Sequence, residues 1–442
     1  MSRGRVGRAA LLALLASAAP ARGNGRFPAS SSLDFQPGRP DHIAVGVTFG
    51  LLVSRDGGAT WRWDCEAAIG FEGTYDPIYL WSPSGALFAS TFNGLKVARD
   101  PCGWQAVPGP VGAADVTALA IGGDGAIWAA VSDLASGTAL YRSDDDGRRF
   151  TASALPGQVG DVWHSIAVAP DDPRRIYVTG RRMMAGAPTR VLYRSTDGGA
   201  SWVELPTDAL VGAATSELFL AAIDPRAPDH VYALVTDVGP GLRTALYRTT
   251  DAGAALPAGP TWTRVLEVPT RITGVVVRTT GLVLAITPAM GLYRSADGGA
   301  SFALVPGVTL DGRCLRERAD GTLWMCTNNL PPDRATLHVA TEPTTWSPRL
   351  AFAGLTGPTR CPGGTVQHDT CEATLWCGLR DNLAIVADDT GCVPPPDAGP
   401  DAPGATGGAG GCCGVGDGPG VEVALVVLGL ARRRRQRARV AR

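Results

Sequence analysis

One octapeptide pattern governs what this chain can become. Residues 54–61 read SRDGGATW, and the same frame returns as SDDDGRRF at 143–150, STDGGASW at 195–202 and SADGGASF at 295–302. Each copy is Ser-x-Asp-x-Gly-x-x-aromatic. The fixed positions are Ser54, Asp56, Gly58 and Trp61; Ser143, Asp145, Gly147 and Phe150; Ser195, Asp197, Gly199 and Trp202; Ser295, Asp297, Gly299 and Phe302. Degraded copies lie between them. Positions 98–104 keep Asp100 and Trp104, positions 249–262 keep Thr249, Asp251 and Gly253 before an insertion and Trp262, and positions 341–346 keep Trp346. The seven starts, at 54, 98, 143, 195, 249, 295 and 341, lie 44 to 54 residues apart, the spacing of a four-stranded propeller blade.

The flanks repeat too. Leu-Tyr-Arg-Ser or Leu-Tyr-Arg-Thr runs into four boxes, at 140–143, 192–195, 246–249 and 292–295. Alternation sends Leu and Arg to one side of a strand and Tyr and Ser to the other. Further upstream, Ile166-Ala167-Val168 and Ile176-Tyr177-Val178 flank the turn Pro170-Asp171-Asp172-Pro173, and 220–223 and 231–234 repeat this around Asp224-Pro225. Asp124-Gly125 before Ile127-Trp128, and Asp320-Gly321 before Leu323-Trp324, supply equivalent hairpins. The unit is strand, turn, strand, strand, box, strand, and the first one opens near Leu33. Glycine at 57 and proline at 34 suit a chain with a turn every few residues. The expectation is an all-β chain, a single propeller of seven four-stranded blades; positions 359–392 form an eighth unit or else close the ring against the first.

These boxes resemble the Asp-box (BNR) repeat of sialidases, sortilin-like receptors, some glucanases and photosystem assembly factors, and the resemblance covers about 33–392. It implies a β-propeller whose boxes sit on the rim, away from the ligand face. The chemistry of the turn agrees: the Asp accepts hydrogen bonds from the Ser hydroxyl and turn N–H groups, the glycine takes a conformation other residues resist, and the aromatic packs back on its blade. Asp56, Asp145, Asp197 and Asp297 are therefore read as turn residues and not as catalysts.

The two ends differ from the body. Arg3, Arg5 and Arg8, an apolar stretch at 9–18 and Ala19-Pro20-Ala21 make residues 1–21 a secretory signal. The propeller is assigned to 22–392. Positions 393–411 (VPPPDAGPDAPGATGGAGG) form a Pro/Gly/Ala-rich linker without core-forming side chains. Positions 412–442 hold Cys412-Cys413, an apolar segment best at 423–431 and an arginine cluster from Arg432. This order resembles the C-terminal sorting signal of myxobacterial surface proteins, which implies proteolytic removal of the tail and surface attachment through Cys412 or Cys413. A plain tail anchor is the alternative; nine good apolar residues make a marginal span. Ten of the 40 basic residues but only two of the 41 acidic ones lie in 1–21 and 412–442, so the rest of the chain, linker included, carries a net of −9 and a single lysine, Lys96. Nucleic acid is excluded as a partner on that balance.

Eight cysteines remain in the body, an even number suited to disulfides in an exported chain. Cys314 and Cys326 flank one hairpin. Cys65 with Cys102 would join the first two units, and Cys361, Cys371, Cys377 and Cys392 would staple the last. No cysteine or histidine spacing marks a metal site, and no cofactor is expected.

Sialidase chemistry requires an arginine triad, a Tyr/Glu nucleophile pair and an Asp acid/base. Arg26-Phe27-Pro28 echoes the arginine motif of those enzymes, but the catalytic tyrosine lies late in them and the last tyrosine here is Tyr293. The reading is an exported, monomeric binding or scaffold propeller, displayed at the cell surface and touching membrane only through its tail, with an unknown protein or glycan partner. A glycan hydrolase using the central face is the alternative. Exposed contact residues are expected at Arg181, Arg182, Met183, Met184 and Trp163, next to the insertion 180–189; the other long insertions are 237–244 and 254–260.

Overall fold

The computed structural model describes residues 26–386 and 392, except 72–74, 134–136, 159, 184–187, 214 and 239–240. The signal, linker and tail readings, with Cys412, Cys413 and Met184, lie outside the described residues. Seven antiparallel sheets of four consecutive strands follow one another as blades 1 (30–64), 2 (79–106), 3 (116–152), 4 (161–205), 5 (217–268), 6 (274–304) and 7 (314–350). The first strands of successive blades pack side by side around an axis, and Cys314–Glu317 of blade 7 returns to Ser30–Gln36 of blade 1. The chain is a seven-bladed β-propeller.

Each blade is sandwiched between two others, so its strands bury both faces and read as apolar runs instead of alternating with polar residues. Gly50–Ser54 is buried throughout. Its alternation still sorts the side chains: Leu51 and Val53 join Tyr79 and Trp81 of blade 2, while Leu52 joins Trp324 and Leu337 of blade 7. Blade 4 repeats this, sending Tyr177 and Leu192 toward blade 5 and Ile176, Val178 and Tyr193 toward blade 3. Each fully buried aliphatic or aromatic side chain stabilises by about 1.5–3 kcal/mol, so the seams between blades are the core.

The up-and-down path gives the disc two unlike faces. Turns joining first to second and third to fourth strands, including every box, open on one, the box face. Loops joining second to third strands, and the connections between blades, open on the other, the loop face.

The ring is not closed by exchanging a strand between blades. After blade 7 the chain forms a strap. Gly357–Pro358 adds a fifth, parallel strand to the outer edge of blade 1, pairing with Arg62 and Trp63. One helix follows, wide-pitched over Gln367–Leu375 and α over Trp376–Asn382. Trp376 is fully buried with its ring 5.7 Å from that of Trp63, and Gln367 Nε2 donates to Trp63 O at 2.8 Å. Positions 359–392 thus close the ring against blade 1 and are no eighth blade.

The disulfides follow this path. Cys314 and Cys326 stand directly opposite in the first two strands of blade 7 and are joined. Cys65 and Cys102 do not pair with each other: Cys65 is bonded to Cys371 and Cys102 to Cys361. The strap lies over both blades and reaches each sulfur, so two of the four late cysteines cross to the start of the ring, and only Cys377–Cys392 stays within the last segment. Four disulfides mark a fold made for an oxidising, extracellular compartment.

Candidate functional site

The boxes are the most conspicuous carboxylates, and their lone pairs are spent. Asp56 accepts from the Ser54 hydroxyl (2.8 Å), from the N–H groups of Ala59 and Thr60 (3.0 and 2.9 Å) and from the Thr60 hydroxyl (2.6 Å). The Ser54 oxygen in turn accepts Gly58 N–H at 2.8 Å. Boxes 195–202 and 295–302 repeat these contacts, and Ser143, Asp145 and Gly147 keep their shared part. The Ser201 hydroxyl, then its N–H and the Ser195 hydroxyl, hold Asp197 down at about 2. In blade 5 the insertion is looped out: Thr249 donates to Asp251 at 2.5 Å and Thr261 N–H closes the turn at 2.8 Å, where Thr60 does so in blade 1. A carboxylate held this way is neither a base nor a free ligand; it fixes a turn.

What the turn holds is the neighbouring blade. Gly58, Gly147, Gly199 and Gly299 all have positive φ, and each faces an aromatic ring of the preceding blade. A Cβ on Gly147 would lie 2.5 Å from Phe88, on Gly199 2.4 Å from Trp128, on Gly299 2.3 Å from Tyr232, and on Gly58 3.3 Å from Trp324. Polar contacts tighten the clasp: Arg99, Arg142 and Arg349 donate to carbonyls of Asp146 (2.6 Å), Gly198 (3.0 Å) and Gly57 (2.7 Å), and Tyr232 to that of Gly298 (2.7 Å). In blade 5, Asp229 stands between Tyr177 and Gly253, its carboxylate 2.4 Å from a Cβ on Gly253.

Strand register puts these aromatics at one equivalent position. The residue opposite the box start is Ile43, Leu87, Ile127, Ile176, Val231, Val283 or Leu323, and the next one is Ala44, Phe88, Trp128, Tyr177, Tyr232, Leu284 or Trp324. The two blades lacking the aromatic, 1 and 6, precede the two whose box has lost its glycine, 2 and 7; their starts are Ala98 and, by strand register, Ala340, one residue before the start read from the sequence. An aromatic in one blade and a box glycine in the next occur together or not at all. The sequence carried this signal in Ile127-Trp128, Ile176-Tyr177 and Leu323-Trp324, but its two halves sit in different repeats.

The loop face has the opposite character. Phe92, Met183, Met290 and Leu330 lie between second and third strands of blades 2, 4, 6 and 7, and Val211 lies between blades 4 and 5. Phe27 joins them, its carbonyl accepting from Thr48 at the same end of blade 1. Each is 37–69% exposed, and these six make up most of the ten large apolar side chains exposed among the described residues. Tyr75 packs on Phe92 with ring centroids 4.3 Å apart. On the box face that set includes Leu256, while Asp and Arg crowd the turns.

Along the axis, the first strands of blades 4 and 5 bring His164 and Phe219 into a stack at 5.2 Å. His164 Nδ1–H donates to Leu218 O at 3.2 Å, and burial, only partly offset by Glu217, lowers its pKa. On the first strand of blade 1, burial pushes Asp34 up to about 6 against the pull of Arg316, and Asp34 accepts Trp81 N–H at 2.7 Å.

Two of the expected contact residues are placed otherwise. Trp163 is buried, edge-on to Tyr193, because its strand turns that side chain into the seam with blade 3. Arg182 is buried in a network with Asp161, Glu204 and the Tyr193 hydroxyl. Arg26 of the Arg-Phe-Pro echo forms a two-pronged pair with Asp76 at 2.6 and 2.7 Å. Met183 is exposed. Among the described residues no three His, Cys, Asp or Glu side chains converge to hold a metal ion, and no helix is long and apolar enough to cross a membrane.

No family model and no curated protein sequence matches the chain. Among solved structures it is similar to the extracellular domain of a hybrid two-component system from B. thetaiotaomicron, with 17% identity over 69% of this chain, 37% of that one and a TM-score of 0.46. It is similar to YCF48 from Cyanidioschyzon merolae, with 14% identity over 67% of this chain, 92% of that one and a TM-score of 0.47. PorZ, a surface component of the type-IX secretion system of Porphyromonas gingivalis, shows 15% identity over 67% of this chain, 45% of that one and a TM-score of 0.47. The chain thus spans little more than a third of the first of these and under half of the last.

Proposed function

We propose that this chain is an extracellular, non-catalytic propeller that binds a macromolecular partner through its loop face and is held at the cell surface by its C-terminal segment. The observation that carries the reading is the asymmetry of the disc. Exposed apolar side chains from blades 1, 2, 4, 6 and 7 gather on the face whose loops differ from blade to blade, whereas the box face is built from repeated, self-satisfied turns. Apolar side chains spread over a wide, loop-built surface suit a large partner better than a small substrate, which needs a concave pocket. Surface attachment rests on the order of linker, Cys412-Cys413, apolar segment and arginines in the sequence.

A photo-crosslinking amino acid at Phe92, Met290 or Leu330, compared with one at Ala200 or Ala300 in the box turns, tests this on cells that make the protein. One adduct shared by the loop-face positions and missing from the box positions is expected. Adducts confined to the box positions, or turnover of any member of a fluorogenic glycoside panel by the purified body, would overturn the reading. Mass spectrometry of the surface-purified protein tests attachment: a C-terminal peptide that still carries 432–442 would sink the sorting signal and leave a plain anchor.

A further inference from the structure

Cys65 and Cys371 are bonded across a sequence separation of 306, and blades 2 to 7 lie entirely between them. Cys102–Cys361 nests inside that loop, and Cys377–Cys392 ties off the end of the described chain. Without these bonds the strap would be a weak ending. Its strand is two residues long, and its helix is held through Trp376, Gln367 and a few neighbours. A pull from the C-terminal side would peel it contact by contact and then strip Ser347–Leu350, the outermost strand of blade 7.

We propose that the strap, from Gly357 to its last bonded cysteine, Cys392, is a latch that carries tension. Tension entering beyond Cys392 crosses Cys377–Cys392, runs a few residues to Cys371 and passes through the sulfurs into Cys65 of blade 1, so blade 7 carries none of it. Pulled end to end, the chain can yield only blade 1 up to Cys65 and the short stretch after Cys371; the six blades between are bypassed. Cys65 and Cys371 are buried under the strap, so this bond is out of reach of a thiol while the strap is seated, whereas Cys102–Cys361 lies closer to solvent and is a second, outer stop. The latch does not depend on what the loop face binds, and its failure would leave that reading untouched.

Stretching the full chain in an optical trap, with peptide-tag handles at its two ends, tests it directly. At the extended-chain limit, the oxidised protein should gain about 150 Å of contour on unfolding, from roughly 47 residues, and the reduced protein about 1,200 Å, an eightfold difference. A Cys65→Ala, Cys371→Ala chain should stop at the outer bond, with a gain of about 300 Å. If that variant fails to fold, the wild type before and after reductant still decides the matter. A full-length gain in the oxidised chain would overturn the latch, and so would a short gain that persists once every disulfide is reduced.

Discussion

The five seams with a box clasp and the two without one solve the same packing problem by different means. At the 2/3, 3/4, 4/5, 5/6 and 7/1 seams a box turn of one blade receives an aromatic of its predecessor, directly on glycine or, at 4/5, through Asp229. At 1/2 and 6/7 the aromatic is Ala44 or Leu284, and the box start is Ala98 or Ala340. The 1/2 seam is instead tied by the strap, through Cys65–Cys371 and Cys102–Cys361, with Trp104 Nε1 donating to Asp64 at 3.3 Å. The 6/7 seam uses Arg278, which holds Glu317 at 2.7 Å and Gly321 O at 2.8 Å, beside a blade stapled by Cys314–Cys326. Blades 3 to 6 contain no cysteine. The clasp thus serves where both partners come from the repeat; where the repeat has decayed, the strap's disulfides tie the 1/2 seam and an arginine ties the 6/7 seam.

The largest effect expected from breaking this division is at Cys65–Cys371. With Cys102–Cys361 intact, Cys65–Cys371 closes an effective loop of about 48 residues, so by loop-closure entropy replacing both residues by Ala should cost about 4 kcal/mol, against about 3 kcal/mol for Cys314–Cys326, whose closed loop is shorter. Thermal melts of the two double variants check the ranking; equal losses would mean that the strap contributes little to the 1/2 seam. Next comes Gly199→Ala at a clasped seam. The added methyl meets the Trp128 ring in a positive-φ turn, and the change should cost about 3 kcal/mol. Gly198→Ala beside it, with similar φ but only the tip of Arg142 near its Cβ, should cost about 1 kcal/mol. Trp128→Leu, which copies the 6/7 seam, should make Gly199→Ala much less harmful; a double-mutant cycle without coupling would break the clasp.

Ser195→Ala leaves Gly199 N–H without its acceptor and should cost about 1–2 kcal/mol, read as a shift in melting temperature. The smallest effect is the dependence on pH. Asp34 and Asp64 both border the 1/2 seam, and burial raises each to about 6. A raised carboxyl stabilises the fold fully below its unfolded value near 4 and loses that contribution as pH rises through about 6. Acidifying from pH 7.5 to 5 should therefore strengthen this seam by about 1 kcal/mol per carboxyl, and Asp64→Asn should remove its share. The Asp197 box behaves oppositely: its contribution is present above pH 4 and is lost only as pH falls through about 2. Hydrogen exchange at the two seams separates these responses, and equal acid protection of both would contradict the assignment.

Much of the fold was legible because the box writes a hairpin into eight residues. Serine, aspartate, glycine and aromatic each satisfy a local demand, so a linear reading finds them and counts seven blades. The Cys314–Cys326 bond was legible for the same reason, since one hairpin sets the two residues opposite each other. Contacts between repeats were not. Cys65 with Cys371 and Cys102 with Cys361 are set by where the strap lies, which no local spacing encodes. Trp163 and Arg182 look like loop contacts by position, but strand register turns one into a seam and gives the other buried acidic partners. Of the three long insertions, 180–189 and 237–244 open on the loop face but 254–260 sits in the blade 5 box on the other, and the exposed apolar residues of the loop face emerged only once the faces were told apart.

Each blade is four consecutive strands, and none lends a strand to its neighbour. The unit of folding is therefore also a unit that can be copied whole. Duplicating a clasped blade brings an aromatic for its successor and a glycine for its predecessor, so the copy fits beside its parent without any change elsewhere. The blade whose box has decayed cannot be copied into the middle of the ring on those terms, since its predecessor would present a ring to a turn without its glycine. Heredity by tandem copying thus falls on blades 3 to 5, which carry both parts; blade 6 has the glycine without the aromatic, and blades 7, 1 and 2, bound to the strap, stay single and set where the series begins and ends.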